Sequence, residues 1–296
     1  MSKCNICPRG CGGDRSSGKL GVCNAPDEIF VAKTMLHAWE EPCISGERGA
    51  GTVFFAGCNL HCVYCQNKDI SGGACGQRMT DDELEAAIFD LASRGAECIE
   101  LVTPTHYTVA IARLLRRIKP RLNLPVVWNS GGYESVEALR LLDGLVDVYL
   151  PDFKYFDSAV ANAYSSAPDY FEIAGRALGE MIRQTGRPRF DGEGRMVGGV
   201  LVRHLVLPGH REDSFEILKY IAAEYGTDSV RLSLMSQYTP DFYIESGRPG
   251  NFKNLSRRVT SFEYDSVMRL AVELGFDGYF QRISSADRKY TPEFKK

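Results

Sequence analysis

No stretch of this sequence is apolar for long enough to cross a bilayer. No run approaches the ~18 residues that a spanning helix requires. The first residues, Met1-Ser2-Lys3-Cys4, lack the apolar core of a secretory leader. Charge of neither sign dominates: 35 Lys and Arg stand against 38 Asp and Glu, a formal net charge of −3. The basic surplus that draws a protein onto phosphate is therefore missing from the whole chain, and neither a nucleic acid nor a membrane is expected as partner. No glycine-rich phosphate fingerprint follows the first strand-like run, which argues against a dinucleotide-binding sheet. Internal repeats and low-complexity tracts are also absent.

What is plentiful is cysteine, ten in 296 residues. A disulfide framework suits small secreted chains without room for a core, and this chain is long enough to build one. Its 44% hydrophobic and 25% charged residues are ordinary for a globular protein. Seven of the cysteines fall in two tight groups, which points to metal ligation in a reducing cytoplasm. Cys43, Cys75 and Cys98 lie outside both, and Cys98, opening an apolar run, reads as core filling.

The more informative group is Cys58-x3-Cys62-x2-Cys65, within Gly57-Cys58-Asn59-Leu60-His61-Cys62-Val63-Tyr64-Cys65. Three thiolates on one short loop can hold three irons of a cubane and leave the fourth open, and an open position separates a chemical metal site from a structural one. His61 offers an alternative, since three sulfurs and one imidazole can close a tetrahedral zinc. Ligands at adjacent positions 61 and 62 tend to point apart, however. The loop also follows the apolar run Thr52-Val53-Phe54-Phe55-Ala56, and the end of such a strand is where α/β barrels place chemistry.

The second group, Cys4-x2-Cys7-x3-Cys11-x11-Cys23, is broken by Pro8, Arg9 and several glycines. Four thiolates can close a zinc or hold a second iron–sulfur cluster, and would brace a segment too short to bury a core. A filled site favours a structural role; an electron relay is the functional rival.

From residue 50 onward, strand-like and helical runs alternate. Thr80-Asp81-Asp82-Glu83 forms a capping box ahead of Leu84, Ala87, Ile88 and Leu91. Further strands are expected at Cys98–Thr103, Pro125–Asn129, Val146–Phe153, Val200–Leu207 and Val230–Met235, with a short one at Tyr279–Arg282. Helical stripes lie between them. The expected fold class is α/β, a partial barrel of six βα units with parallel strands, carrying a small cysteine-rich metal-binding segment at its N-terminus. The divisions are 1–46 for that segment, 47–285 for the barrel and 286–296 for a tail. Ser236 to Thr260 is a long connection of the kind that forms lids or binding segments.

The cysteine spacing, with Tyr64 before the last cysteine, is similar to the signature of the radical S-adenosylmethionine (SAM) enzymes. The order of later motifs resembles the pyruvate formate-lyase-activating enzymes among them, in a branch with its own cysteine-rich N-terminus. The resemblance implies a 4Fe-4S cluster on Cys58, Cys62 and Cys65 that cleaves SAM reductively to a 5′-deoxyadenosyl radical, which takes hydrogen from a substrate. It implies an electron donor such as flavodoxin or ferredoxin, and a glycyl-radical enzyme as one candidate substrate. Where the family carries Gly-Gly-Glu, this chain reads Val102-Thr103-Pro104-Thr105-His106, leaving Thr103 or Thr105 to meet the SAM ammonium. Trp128-Asn129-Ser130-Gly131-Gly132 resembles the family's polar turn, and Asp152-Phe153-Lys154 its Asp-x-Lys. Asp152 and Lys154 project to one side of a strand, where two charges are costly unless paired or facing a ligand. Arg203 is similar to the arginine near SAM, and Ser233, Met235 and Gln237 to the adenine side. The resemblance thus implies Tyr64, Asn129, Ser130, Asp152, Lys154, Arg203 and Ser233 as the SAM-binding set. His210, after Pro208-Gly209, reads as an exposed loop histidine. A non-catalytic zinc or iron adaptor is the alternative; it explains the cysteines and leaves Asp152, Lys154 and Arg203 without a purpose.

Overall fold

The computed structural model describes residues 4–73, 75–246, 252–283, 292 and 294. Among them are ten strands: β1 (Ile29–His37), β2 (Ala50–Phe55), β3 (Gln77–Met79), β4 (Ile99–Val102), β5 (Val126–Ser130), β6 (Val148–Pro151), β7 (Arg189–Phe190), β8 (Met196–Leu205), β9 (Arg231–Met235) and β10 (Gly278–Phe280). Ten α-helices accompany them: α1 (Pro42–Ser45), α2 (Lys68–Ser71), α3 (Asp81–Ser93), α4 (Thr108–Ile118), α5 (Val136–Arg140), α6 (Ser158–Ser165), α7 (Tyr170–Thr185), α8 (Arg211–Tyr225), α9 (Pro240–Ser246) and α10 (Ser261–Leu274).

The main sheet runs β10-β9-β8-β6-β5-β4-β2-β1-β3, with β7 as a short antiparallel partner of β8. From β2 through β4, β5, β6, β8 and β9 to β10 every pairing is parallel. The six expected parallel strands are therefore present, and the sheet is the partial α/β barrel. β1 adds to β2 antiparallel from Val31 to His37, so the expected boundary at residue 46 is not a break in the sheet. The lid-like connection holds α9 and a 3-10 turn at Lys253–Ser256, while residues 247–251 lie outside the described residues. So does most of the tail, 286–296. No described helix is long and apolar enough to cross a membrane.

Alternation along the strands divides the core in two. One face, with Val53, Phe55, Leu101, Trp128 and Tyr149, packs on the helices through Leu84, Ile88, Ile111 and Leu115. Each such side chain taken from water contributes about 1.5–3 kcal/mol. The other face lines the barrel interior. At one end it is apolar, with Ala50, Cys98, Val127, Val148, Leu150 and Leu201 sealed by Cys43 and Ile44 of α1. Two residues further along the same strands, the inward positions become Thr52, Glu100, Asn129, Asp152 and Arg203. The interior thus changes from packed hydrocarbon to polar cavity toward the C-terminal ends of the parallel strands. Capping boxes fix the starts of α3 (Thr80 with Glu83) and α10 (Thr260 with Glu263).

Candidate functional site

The loop after β2 is held from several sides. Gly57 has φ +92°, and a Cβ there would press on the Cys23 carbonyl at 2.6 Å, so glycine is required. Cys58 N–H donates to the Cys23 carbonyl at 3.2 Å, and Val63 N–H to the Tyr164 carbonyl at 2.9 Å. The Asn59 side-chain amide donates to the Tyr133 carbonyl (2.8 Å), and the Arg9 guanidinium to the carbonyls of Asn59 (2.7 Å) and Ser165 (2.7 Å). His61, with φ +53°, turns its Nε2 to the Val22 carbonyl. Its ring is thus engaged with the N-terminal segment, in keeping with adjacent side chains pointing apart.

Cys58, Cys62, Cys65 and Tyr64 line one cavity with Asn129, Ser130, Asp152, Lys154 and Arg203. Donors are aimed at the sulfurs. The amides of Leu60 and His61 point at Cys58, the Asn67 amide at Cys65, and Ser165 Oγ donates to Cys62 Sγ at 3.0 Å. Because a thiolate only accepts, it orients a chain: Tyr64 to Tyr155 (2.7 Å), Tyr155 to Ser165 (2.7 Å), Ser165 to Cys62. Burial, then the charge of Cys62 and Cys58, pushes the Cys65 thiol up to about 12, and burial also raises Cys58. Buried, mutually repelling thiols with amides directed at them suit ligands that ionise on binding a cation. The cysteine set therefore fits a cluster held at three corners.

The strand ends form one ion network. Arg203 Nε donates to Asp152 Oδ1 (2.9 Å), Nη2 to Asn129 Oδ1 (2.7 Å) and Nη1 to Glu40 Oε2 (3.1 Å). Lys154 Nζ donates to Asp152 Oδ2 at 2.5 Å, the two side chains 17% and 19% exposed. Asn129 Nδ2 reaches Glu100 Oε1 (2.7 Å), and Thr52 Oγ1 reaches Glu100 Oε2 (2.8 Å). Burial opposes charge on all of these. Arg203 and Lys154 overcome it and hold Asp152 below the usual carboxylate range, and Asp152 in turn raises both cations. Burial, and then Glu100, pushes Glu40 well up; burial likewise raises Glu100. The result is a cavity wall with two fixed cations beside the sulfurs.

Other expected residues fall as follows. Met235 and Gln237 line this cavity, while Ser233 faces an adjoining chamber shared with Glu40, Glu41, Trp39 and Tyr279. Thr103, in the left-handed region at φ +56°, lines the cavity. Thr105 instead donates to Glu134 at 2.8 Å and is committed elsewhere. His210 is not an exposed loop histidine; it is half-buried, its Nε2 pairs with the Tyr164 hydroxyl at 2.8 Å, and the two rings meet edge to face. Cys98 is buried core, as its apolar setting predicts.

Tyr155 and four further participants are not singled out in the sequence. Glu100 carries a readable signal, a carboxylate on the inward side of an otherwise apolar strand. Glu40 does not, because Glu40-Glu41-Pro42 looks like any charged loop. Ser165 lies in a helix with weak periodicity, and Arg9 signals only as a cation lodged among cysteines.

Three comparisons bear on this site. Residues 44–157, which hold the three cysteines and β2 to β6, match the family described as a 4Fe-4S single cluster domain. An uncharacterised protein of Methanocaldococcus jannaschii is 29% identical over 286 residues, covering 94% of this chain and 76% of that one. Among solved structures, a single-residue variant of spore photoproduct lyase superposes with a TM-score of 0.51 at 15% identity, covering 80% of this chain and 78% of that one. That last likeness is one of fold.

Proposed function

We propose that this chain is a radical SAM enzyme. The observation that carries the reading is one cavity in which three sulfurs from the loop after β2 face Asn129, Asp152, Lys154 and Arg203 from the ends of β5, β6 and β8. The match of residues 44–157 to a 4Fe-4S single cluster domain supports it. When bound, a 4Fe-4S cluster with one open iron supplies the electron that cleaves SAM to methionine and a 5′-deoxyadenosyl radical. Cys58, Cys62 and Cys65 hold it. Lys154, kept protonated by Asp152, offers a fixed positive charge to the SAM carboxylate. Asn129, Ser130 and Arg203 orient the polar middle of the ligand. Met235 and Gln237 would meet its base, with Ser233 behind them. The protein's part is orientation and exclusion of water.

A zinc adaptor leaves the buried ions without a role, and a closed three-sulfur, one-imidazole site is disfavoured by the engagement of His61 with Val22. The finer reading is activation of a glycyl-radical enzyme, fed by a low-potential one-electron carrier such as flavodoxin or ferredoxin. It rests on an order of motifs that resembles that of the pyruvate formate-lyase-activating enzymes. An electron paramagnetic resonance (EPR) doublet from a glycyl radical on a co-encoded polypeptide tests it separately.

The class itself is tested by anaerobic reconstitution with iron and sulfide, followed by dithionite and SAM. The expected outcome is 5′-deoxyadenosine, abolished by Cys58→Ala, Cys62→Ala or Cys65→Ala. Iron-loaded, reduced protein that leaves SAM intact with and without substrate overturns the reading.

A further inference from the structure

The N-terminal cysteines lie outside the region that matches a 4Fe-4S domain, yet backbone amides are directed at their sulfurs as they are in the first group. Cys4, Cys7, Cys11 and Cys23 are all free thiols, and Cys7 and Cys23 each sense the charge of Cys4 and Cys11. Tight turns gather them: Cys4 N–H donates to the Gly13 carbonyl (2.9 Å), Gly12 N–H to that of Cys4 (3.2 Å) and Gly10 N–H to that of Cys7 (3.1 Å). Amides again point at sulfur, from Arg9 to Cys7, from Gly13 and Val22 to Cys11, and from Ala25 to Cys23.

The position of the segment bears on the ligand and its role. Four thiols can occupy every corner of an iron–sulfur centre. Zinc, which has no redox chemistry, would serve there only as a brace. The segment is also seated directly on the first site. Cys23 accepts from Cys58 N–H, Val22 from His61, and Arg9 lies across the carbonyls of Asn59 and Ser165. Exposure falls from Cys11, which is exposed, through Cys4 and Cys7 to buried Cys23, so one edge faces solvent and the other faces Cys58.

We propose that Cys4, Cys7, Cys11 and Cys23 hold a second iron–sulfur cluster, closed at every corner, which passes electrons from a docked carrier to the cluster on Cys58, Cys62 and Cys65. The existence of the second cluster is independent of the function proposed above; only the destination of its electron rests on that reading. The step balances simply. A reduced low-potential one-electron carrier is oxidised by one electron, the outer cluster is reduced and then reoxidised, and the inner cluster ends reduced. No bond forms or breaks.

The test has two arms. In the full chain carrying Cys58→Ser, Cys62→Ser and Cys65→Ser, anaerobic reconstitution should still yield iron and sulfide in equal amounts with a cluster Mössbauer spectrum. Adding Cys11→Ser, at the exposed corner where folding is least disturbed, should abolish it. A colourless protein holding only zinc, or one holding no metal, overturns the site. In the second arm, Cys11→Ser in the otherwise native chain should keep the inner cluster and its reduction by dithionite. Its reduction by reduced flavodoxin should slow at least tenfold. Equal rates with flavodoxin overturn the relay, and loss of the inner cluster along with the outer one overturns it in favour of a structural brace. Failure of the enzymatic reading shows differently, as two reducible clusters and no 5′-deoxyadenosine.

Discussion

Ser165 is the residue whose contribution can be isolated most cleanly. Its hydroxyl donates to Cys62 Sγ at the end of a chain from Tyr64 through Tyr155, and hydrogen bonds to cluster sulfurs help set the reduction potential. Ser165→Ala should lower the midpoint potential of the inner cluster without changing its iron content, as measured by EPR-monitored redox titration. An unchanged potential would show that the hydroxyl has no influence on the reduced state. Arg203 is the opposite case, an ion binding together Asp152, Asn129 and Glu40 while only 16% exposed. Removing one member of such a network strands the others, at a typical cost of about 3–5 kcal/mol. Arg203→Met should lower stability to denaturant by that order, and adding Asp152→Leu should recover part of the loss. Arg203 and Asp152 were legible because a charge in an apolar strand demands a partner. Glu40 was not, since nothing local distinguishes a loop carboxylate that reaches into a barrel from one that faces water.

At the scale of elements, the parallel strands are legible because each is a short apolar run between turn residues. β1 was not read. Ile29 to His37 mixes Lys33 and Thr34 with apolar residues, and its place is settled by pairing with β2 rather than by its own pattern. α6 is eight residues, short for a helical period to emerge, yet it carries Ser165 and Tyr164 to the cluster loop. The turn after β5 was legible as polar and glycine-rich, but its necessity is spatial. Gly132 has φ +76°, and a Cβ there would collide with the Asp152 carbonyl oxygen. Gly132→Ala should therefore displace the end of β6 and with it Asp152 and Lys154. SAM affinity by equilibrium dialysis should fall at least tenfold while cluster content is kept. Retained affinity would mean that those two residues do not position the ligand.

For the molecule as a whole, acid stability is set in part by buried imidazoles. His204 Nδ1 donates to the Phe153 carbonyl and its Nε2 accepts from Ser214, and burial lowers its pKa from 6.5 to about 4. His106 is likewise lowered by burial to about 3. A folded-state pKa below the unfolded one means that the unfolded chain binds the proton first. Stability is then complete above pH 6.5 and declines as pH falls toward 4, by up to ~1.4 kcal/mol per pH unit for each histidine. Denaturant midpoints across pH 4–8 should show this fall, and His204→Gln should flatten it; a profile that leaves the slope unaltered would contradict the assignment. The proposed function requires that one corner of a cubane stay free for SAM. Electron–nuclear double resonance on the reduced protein with SAM labelled by nitrogen-15 at its amino group addresses that corner directly. A hyperfine coupling from the labelled nitrogen is expected. A coupling from a protein imidazole in its place, or none from the label, would contradict it.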